Sequence, residues 1–129
     1  MSASAKRILD VGQCGVDGPR LRRFLAREFN CTIDQADTKD QALSLAEKHA
    51  YDLILVNRIL NRDRSPGMDV ITAILAAQPG LHVMLISDKP EAQAEAVKLG
   101  AIPGFGKARL DSDETENLLR TILSESESP

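Results

Sequence analysis

Gly12, Gln13, Asn57, Ser87 and Lys107 each follow an apolar, strand-like run in this chain. In open α/β sheets, ligands bind outside the carboxyl ends of the strands, so these are the positions to inspect for chemistry. Asn57 closes the run Tyr51-Asp52-Leu53-Ile54-Leu55-Val56, and its amide is neither anionic nor a useful nucleophile at neutral pH. The turn Gly12–Gly18 could cradle an anion against a helix N-terminus. It matches neither G-x-G-x-x-G nor G-x-x-x-x-G-K-S/T spacing, and a flexible turn is the commoner meaning. Cys14 lies close to the same helix start, a setting that can lower a thiol pKa, although an inert thiol is the simpler reading. Asp10 lies mid-strand, where a buried carboxylate must be paired or have a raised pKa. It could be a pocket acid, a partner of Lys107, or an edge aspartate bonded to backbone or water.

The elements that position these residues follow from periodicity. Arg7–Val11 is a short apolar strand. Pro19 suits the first turn of a helix that places Leu21, Phe24, Leu25 and Phe29 on one face. Cys31–Ala36 alternates as a second strand, and Thr38 with Gln41 forms a capping box for a helix facing Ala42, Leu45, Ala46 and His49 inward. The third strand, Asp52–Val56, is apolar after its first residue, as a central parallel strand should be. Asp69 is expected to cap a third helix, Val70–Ala77, that ends at Pro79-Gly80. Leu81–Ser87 reads as a fourth strand and Pro90–Leu99 as a helix closed by Gly100. Ala101–Gly106 is a weak fifth strand, Asp111 or Ser112 caps the helix Glu114–Leu123, and Ser124–Pro129 is expected to be a disordered polar tail.

Composition narrows the function. With 129 residues and 43% apolar content, the chain suits one compact domain. Its 16 basic and 19 acidic residues give a net charge of −3, which disfavours non-specific nucleic-acid binding. The lack of Trp and the single Tyr disfavour stacking on single strands. No run approaches the roughly 20 apolar residues of a membrane helix, and Met1–Ala5 lacks a signal-peptide core. Cys14 and Cys31 should lie at opposite poles of a parallel sheet and not bridge; two cysteines fit a reducing cytosol. Arg20, Arg23 and Arg27 share a helix face that reads as solvated. His49 and His82 have no metal-ligand company.

The stretch Arg7–Val56, the Ala42-Leu43 pair, the turn Pro66-Gly67-Met68-Asp69, and Gly100-Ala101 followed by Lys107 resemble the receiver domain of bacterial response regulators. The resemblance covers nearly the whole chain. It implies one α/β domain over residues 1–123: a doubly wound five-stranded parallel sheet with five helices, receiver-type and flavodoxin-like. Receivers accept a phosphoryl group on an aspartate ending the third strand and hold Mg²⁺ with it and two carboxylates after the first strand. The matching positions here are Asn57, Gly12 and Gln13, so three negative charges are absent. Ser87 matches the hydroxyl that bonds the phosphoryl oxygen, and Lys107 the lysine that pairs with it. The switch aromatic position is Gly104, with Phe105 one place off on the other side of the strand. The proline after the lysine is Ala108, so a trans bond is expected. About five extra residues, Asn61–Ser65, separate Asn57 from its Pro-Gly turn.

The expectation is therefore a phosphorylation-independent pseudo-receiver, a cytoplasmic protein–protein interaction module in a bacterial signalling or regulatory pathway. It is expected to be no enzyme and to need no metal or cofactor. Its partner would be a signalling protein, or a second copy, docking through the fourth helix, fifth strand and fifth helix. The alternative is a flavodoxin-like domain that senses a small anion or ligand at the degenerate pocket formed by Gly12, Gln13, Asn57, Ser87 and Lys107, with Asp10 as a possible compensating acid.

Overall fold

The computed structural model describes residues 5–125. Five strands alternate with five helices: β1 (Lys6–Val11), α1 (Asp17–Glu28), β2 (Cys31–Ala36), α2 (Lys39–Lys48), β3 (Leu53–Asn57), α3 (Gly67–Ala77), β4 (Val83–Ile86), α4 (Pro90–Lys98), β5 (Ile102–Phe105) and α5 (Asp113–Glu125). A 3-10 turn, Lys107–Arg109, links β5 to α5. The strands are all parallel, in the order β2-β1-β3-β4-β5. This is the flavodoxin-like, doubly wound arrangement, whose switch point lies between β1 and β3.

Side chains alternate across each strand, so the sheet carries two cores. Ile8, Leu53, Leu55, Met84, Ile86 and Phe105 face α1 and α5. Leu9, Val11, Ile54, Val56, Val83 and Leu85 face α2, α3 and α4. Phe105 is thus buried on the α1/α5 side, opposite the face its neighbour Gly104 presents to α4. Four consecutive buried residues in β3 and in β4 explain why both read as unbroken apolar runs.

Caps define several boundaries. Thr38 Oγ1 accepts from Gln41 N–H at 3.2 Å, while Gln41 Oε1 accepts from Asp37 N–H at 2.7 Å, one residue earlier than in a capping box. At the end of α4, Gly100 N–H bonds to Val97 O and Ala101 N–H to Ala96 O, both at 3.0 Å, which closes a Schellman motif. Of the two candidate caps for α5, Ser112 serves: its Oγ accepts from Thr115 N–H at 3.2 Å. Three expected boundaries move. The third helix starts at Gly67, because Gly67 N–H bonds back to Arg58 O at 2.7 Å, so Asp69 lies in the first turn and is not the cap. The fourth strand is shorter, Val83–Ile86. The last helix continues through Glu125, and residues 126–129 of the expected tail lie outside the described residues. Cys14 and Cys31 are both free thiols, one beyond the carboxyl end of β1 and one at the start of β2.

The β4–β5 ladder is irregular between Met84 and Ile86, and a side chain completes it. Gln93 of α4 donates to Leu85 O (2.8 Å) and Ser87 O (3.1 Å) and accepts from Gly104 N–H (3.1 Å). A Cβ at Gly104 would lie 2.3 Å from Leu85 O, so only glycine lets the strands close here. Gln93→Ala leaves the Gly104 N–H and two carbonyls without these partners. It should lower stability by about 2 kcal/mol, read as a reduced urea midpoint with an unchanged m value.

Candidate functional site

The carboxyl ends of the strands surround a cavity of ≈ 330 Å³. Its walls come from the loop after β3 (Asn57, Arg58, Ile59, Asn61, Arg64), the end of β4 and the loop after it (Ile86, Ser87, Asp88, Lys89), Cys14 and Lys107. Asn57, Ser87 and Lys107 of the expected site therefore meet here. Gly12 and Gln13 do not line this cavity; Gln13 faces a much smaller crevice beside Asp17, Arg20 and Phe105. Sequence reasoning missed Arg58 and Lys89, although each directly follows or nearly follows a strand.

Gly12 is covered by Leu60, which is fully buried. Gly12 has φ +78°, and a Cβ built on it would come within 2.6 Å of Leu60 Cγ. Any side chain at position 12 and the present place of Leu60 thus exclude each other. Leu60 and the extra residues that follow it form a closed turn: Leu60 N–H bonds to Ser65 O, Arg64 N–H to Leu60 O, and Asn61 N–H to Gly12 O. Asn57 staples this turn to β1. Its Nδ2 donates to Gly12 O (3.1 Å) and Ile59 O (2.9 Å), and its Oδ1 accepts from Arg58 N–H (3.1 Å). A carboxylate could make neither of the donated bonds. Mg²⁺, which the receiver resemblance implies, does not fit these residues, since positions 12, 13 and 57 offer no carboxylate and Leu60 occupies the space over Gly12. Among the described residues, no group of three or more His, Cys, Asp or Glu could hold a metal ion.

Asp10 is neither a pocket acid, nor the partner of Lys107, nor a solvated edge residue. It pairs with Leu55 of β3 in the ladder, faces α1, and is only 2% exposed. Arg22 of α1 reaches beneath its own helix to bond Asp10 Oδ2 at 2.8 Å. Burial raises the Asp10 pKa to about 6, against the pull of Arg22, with smaller opposing effects from Gln13 and Lys107. Gln13 lies close enough to favour the anion, yet no well-formed hydrogen bond joins them: Asp10 Oδ1 and both Gln13 amide atoms are buried without partners. Lys107 is engaged elsewhere, with its Nζ 3.0 Å from Asp17 Oδ2. That hydrogen bond is the main reason the Asp17 carboxyl lies below the usual range. Cys14 Sγ accepts from Asp17 N–H at 3.3 Å and donates to Asp17 Oδ2 at 3.4 Å, which ties the Gly12–Gly18 turn to α1.

Ser87 Oγ accepts from Lys89 N–H at 3.1 Å, which leaves its own proton to donate. Asp88 accepts from Ala108 N–H at 3.3 Å, a donor that proline would lack. No cis peptide bond occurs among the described residues.

No protein-family model matches the sequence, and no curated protein matches it. Solved structures do match in fold. NtrX from Brucella abortus superposes with a TM-score of 0.82 at 23% identity, over 95% of this chain and 28% of that one. The signal receiver domain of an HD domain-containing protein from Pseudomonas fluorescens Pf-5 gives 0.81 at 24% identity, over 98% of this chain and 92% of that one. A response regulator from Burkholderia pseudomallei, solved with a phosphorylated aspartic acid, calcium ion and citrate, gives 0.71 at 25% identity, over 93% and 69%. The chain spans little more than a quarter of NtrX. Its structural neighbours are response-regulator receiver domains, and the fold is theirs.

The Asp10 environment sets a pH dependence. The folded pKa of about 6 exceeds the ordinary 3.8, so the folded chain holds this proton more tightly than the unfolded one. The contribution of Asp10 to stability is therefore greatest below pH 3.8 and declines as pH rises through about 6, by about 3 kcal/mol in all. Asp10→Asn removes this titration. The stability of the wild type minus that of the variant, from urea unfolding at several pH values, should fall across this window and be flat on either side.

Proposed function

We propose that this chain is a pseudo-receiver: a receiver fold without the phospho-acceptor aspartate, acting as a phosphorylation-independent protein-interaction module in bacterial two-component signalling. The observation that carries this reading is Leu60 seated on Gly12, where a metal-binding acid would have to stand. The amide of Asn57 supports it, because both of its donated bonds hold backbone and its oxygen is already bonded. The Burkholderia neighbour carries a phosphorylated aspartic acid with a calcium ion, whereas the end of β3 here has only that tethered amide. We assign the domain no enzymatic activity and no metal or cofactor requirement, and place it in the cytoplasm with its signalling partner.

The interaction surface in this reading is α4–β5–α5. Two of the three large hydrophobic residues exposed among the described residues, Val97 (43%) and Leu99 (38%), lie on or just after α4. The first turn of α5 adds acidic groups at Asp113, Glu114 and Glu116. No helix among the described residues is long and apolar enough to cross a membrane.

Amide NMR during titration with Mg²⁺ and then beryllofluoride tests the pocket. No Mg²⁺-dependent saturable shift is expected at Gly12, Asn57, Ser87 or Lys107, and such a response centred there would sink the proposal. Asn57→Asp should not rescue phosphotransfer: intact mass after incubation with acetyl phosphate and Mg²⁺ should show no added phosphoryl group. The same variant should lose about 2 kcal/mol of stability, because its carboxylate would face the Gly12 and Ile59 carbonyl oxygens. Val97→Ser with Leu99→Ser should abolish self- or partner association in sedimentation while leaving the circular dichroism spectrum unchanged.

A further inference from the structure

Ion pairing in this chain has a conspicuous gap. Of ten arginines, seven form ion pairs with carboxylates. Those without such a partner among the described residues are Arg23, Arg58 and Arg64, and two of these three line the ≈ 330 Å³ cavity. Lys89, also without an ion pair among the described residues, lines it as well, and Lys107 stands at its edge. Arg58 is half-buried with no side-chain hydrogen bond among the described residues, an arrangement that costs desolvation with no internal return. Arg64 is the only non-glycine residue at positive φ (63°) among those described, a conformation that itself costs energy. Opposing these cations, the lining has the single carboxylate of Asp88, already bonded to Ala108 N–H. In a chain of net charge −3, three unpaired cations converging on one cleft mark a place for an anion.

The geometry points to a metal-free binding site for a small phosphomonoester, held by Arg58, Arg64 and Lys89 with the Ser87 hydroxyl as an additional donor. Guanidinium forks match tetrahedral phosphate oxygens, and a dianion answers several unpaired cations better than a carboxylate does. The Ser87 proton is free because its oxygen already accepts from Lys89 N–H. The cavity is larger than inorganic phosphate requires and falls at the small end of the roughly 300–1,000 Å³ range of ligand pockets. The ligand therefore has an organic body, which would lie against Ile59. No aromatic residue lines the cavity, so a stacked nucleobase is not the body it is built for. This site lies between the loops after β3 and β4, not in the glycine-rich Gly12–Gly18 turn.

The inference rests on the pseudo-receiver reading in one respect, the absence of metal, and the test separates the two. Glycerol 3-phosphate and inorganic phosphate are titrated into the full chain with EDTA present, against chloride at equal ionic strength, and followed by amide NMR. Saturable shifts at Arg58, Ser87 and Lys89, tighter for glycerol 3-phosphate, are expected. Arg58→Gln and Lys89→Gln should each weaken binding by about tenfold, while Arg23→Gln on α1 should not. Arg64→Gly should raise the melting temperature by relieving the backbone and still weaken phosphate binding, a combination that a purely structural arginine would not give. Shifts no larger than those from chloride, or affinities unmoved in the variants, overturn this inference and leave the interaction module standing. Binding that needs Mg²⁺ overturns both. Binding of polyglutamate with which neither phosphate compound competes would make the cleft a protein contact and overturn the phosphomonoester site alone.

Discussion

Much of the site follows from one close contact, that of Leu60 with Gly12. The contact requires glycine at the end of β1, because any Cβ there would strike Leu60. It also requires the loop after β3 to fold back over β1, which Asn57 secures through Gly12 O and Ile59 O. Once that loop is closed, the polar groups it carries must point outward. Arg58 and Arg64 consequently stand on the wall of the cleft instead of in its floor. A hydrophobic plug, an amide staple and a cationic rim are thus linked parts of one loop conformation.

Charge is sorted by the sheet. On the α1 side, Asp10 is neutralised by Arg22 and Asp17 by Lys107. On the other side of Lys107, the cleft holds cations in excess. The Asp10–Arg22 pair is weak support for stability, because the desolvation of a buried carboxylate offsets much of the attraction. The rise of the Asp10 pKa despite a guanidinium at 2.8 Å shows which effect is larger. The buried, unpartnered Gln13 amide beside it marks the same region as poorly optimised for stability.

The fold was legible in the sequence because parallel strands buried on both faces leave unbroken apolar runs, and because Thr38, Pro90 and Gly100 carry local boundary signals. The start of α3 was not, since its first N–H, that of Gly67, is satisfied by Arg58 O of the preceding loop and no side-chain signal marks that. The cleft was only half legible. Asn57, Ser87 and Lys107 follow their strands and could be found by position alone. Leu60 directly precedes the polar stretch that begins at Asn61, and its complete burial depends on a tertiary contact with Gly12. The partners of Asp10 and Lys107 stayed open for a related reason: Arg22 and Asp17 belong to the same helix, and only its docking angle decides which cation reaches which acid.

The remaining question is whether an occupied cleft could alter the α4–β5–α5 face. A switch needs an element with two packings that differ little in energy, and a ligand that favours one of them. Here Gln93 of α4 clamps the end of β4, through Leu85 O and Ser87 O, to β5, through the N–H of Gly104, a strand position with no side chain to reorient. At about 1 kcal/mol for each bond, releasing the clamp costs about 3 kcal/mol. A ligand would have to favour the released state by on the order of a hundredfold to make it as populated as the closed one. Of the three groups that Gln93 clamps, Leu85 O and Gly104 N–H lie outside the cleft lining, and an anion on the Ser87 hydroxyl would leave the Ser87 carbonyl to Gln93. Such an anion has little differential affinity with which to open the clamp. Occupancy of the cleft would therefore add to the binding surface, and the face formed by α4 and β5 would keep its single conformation.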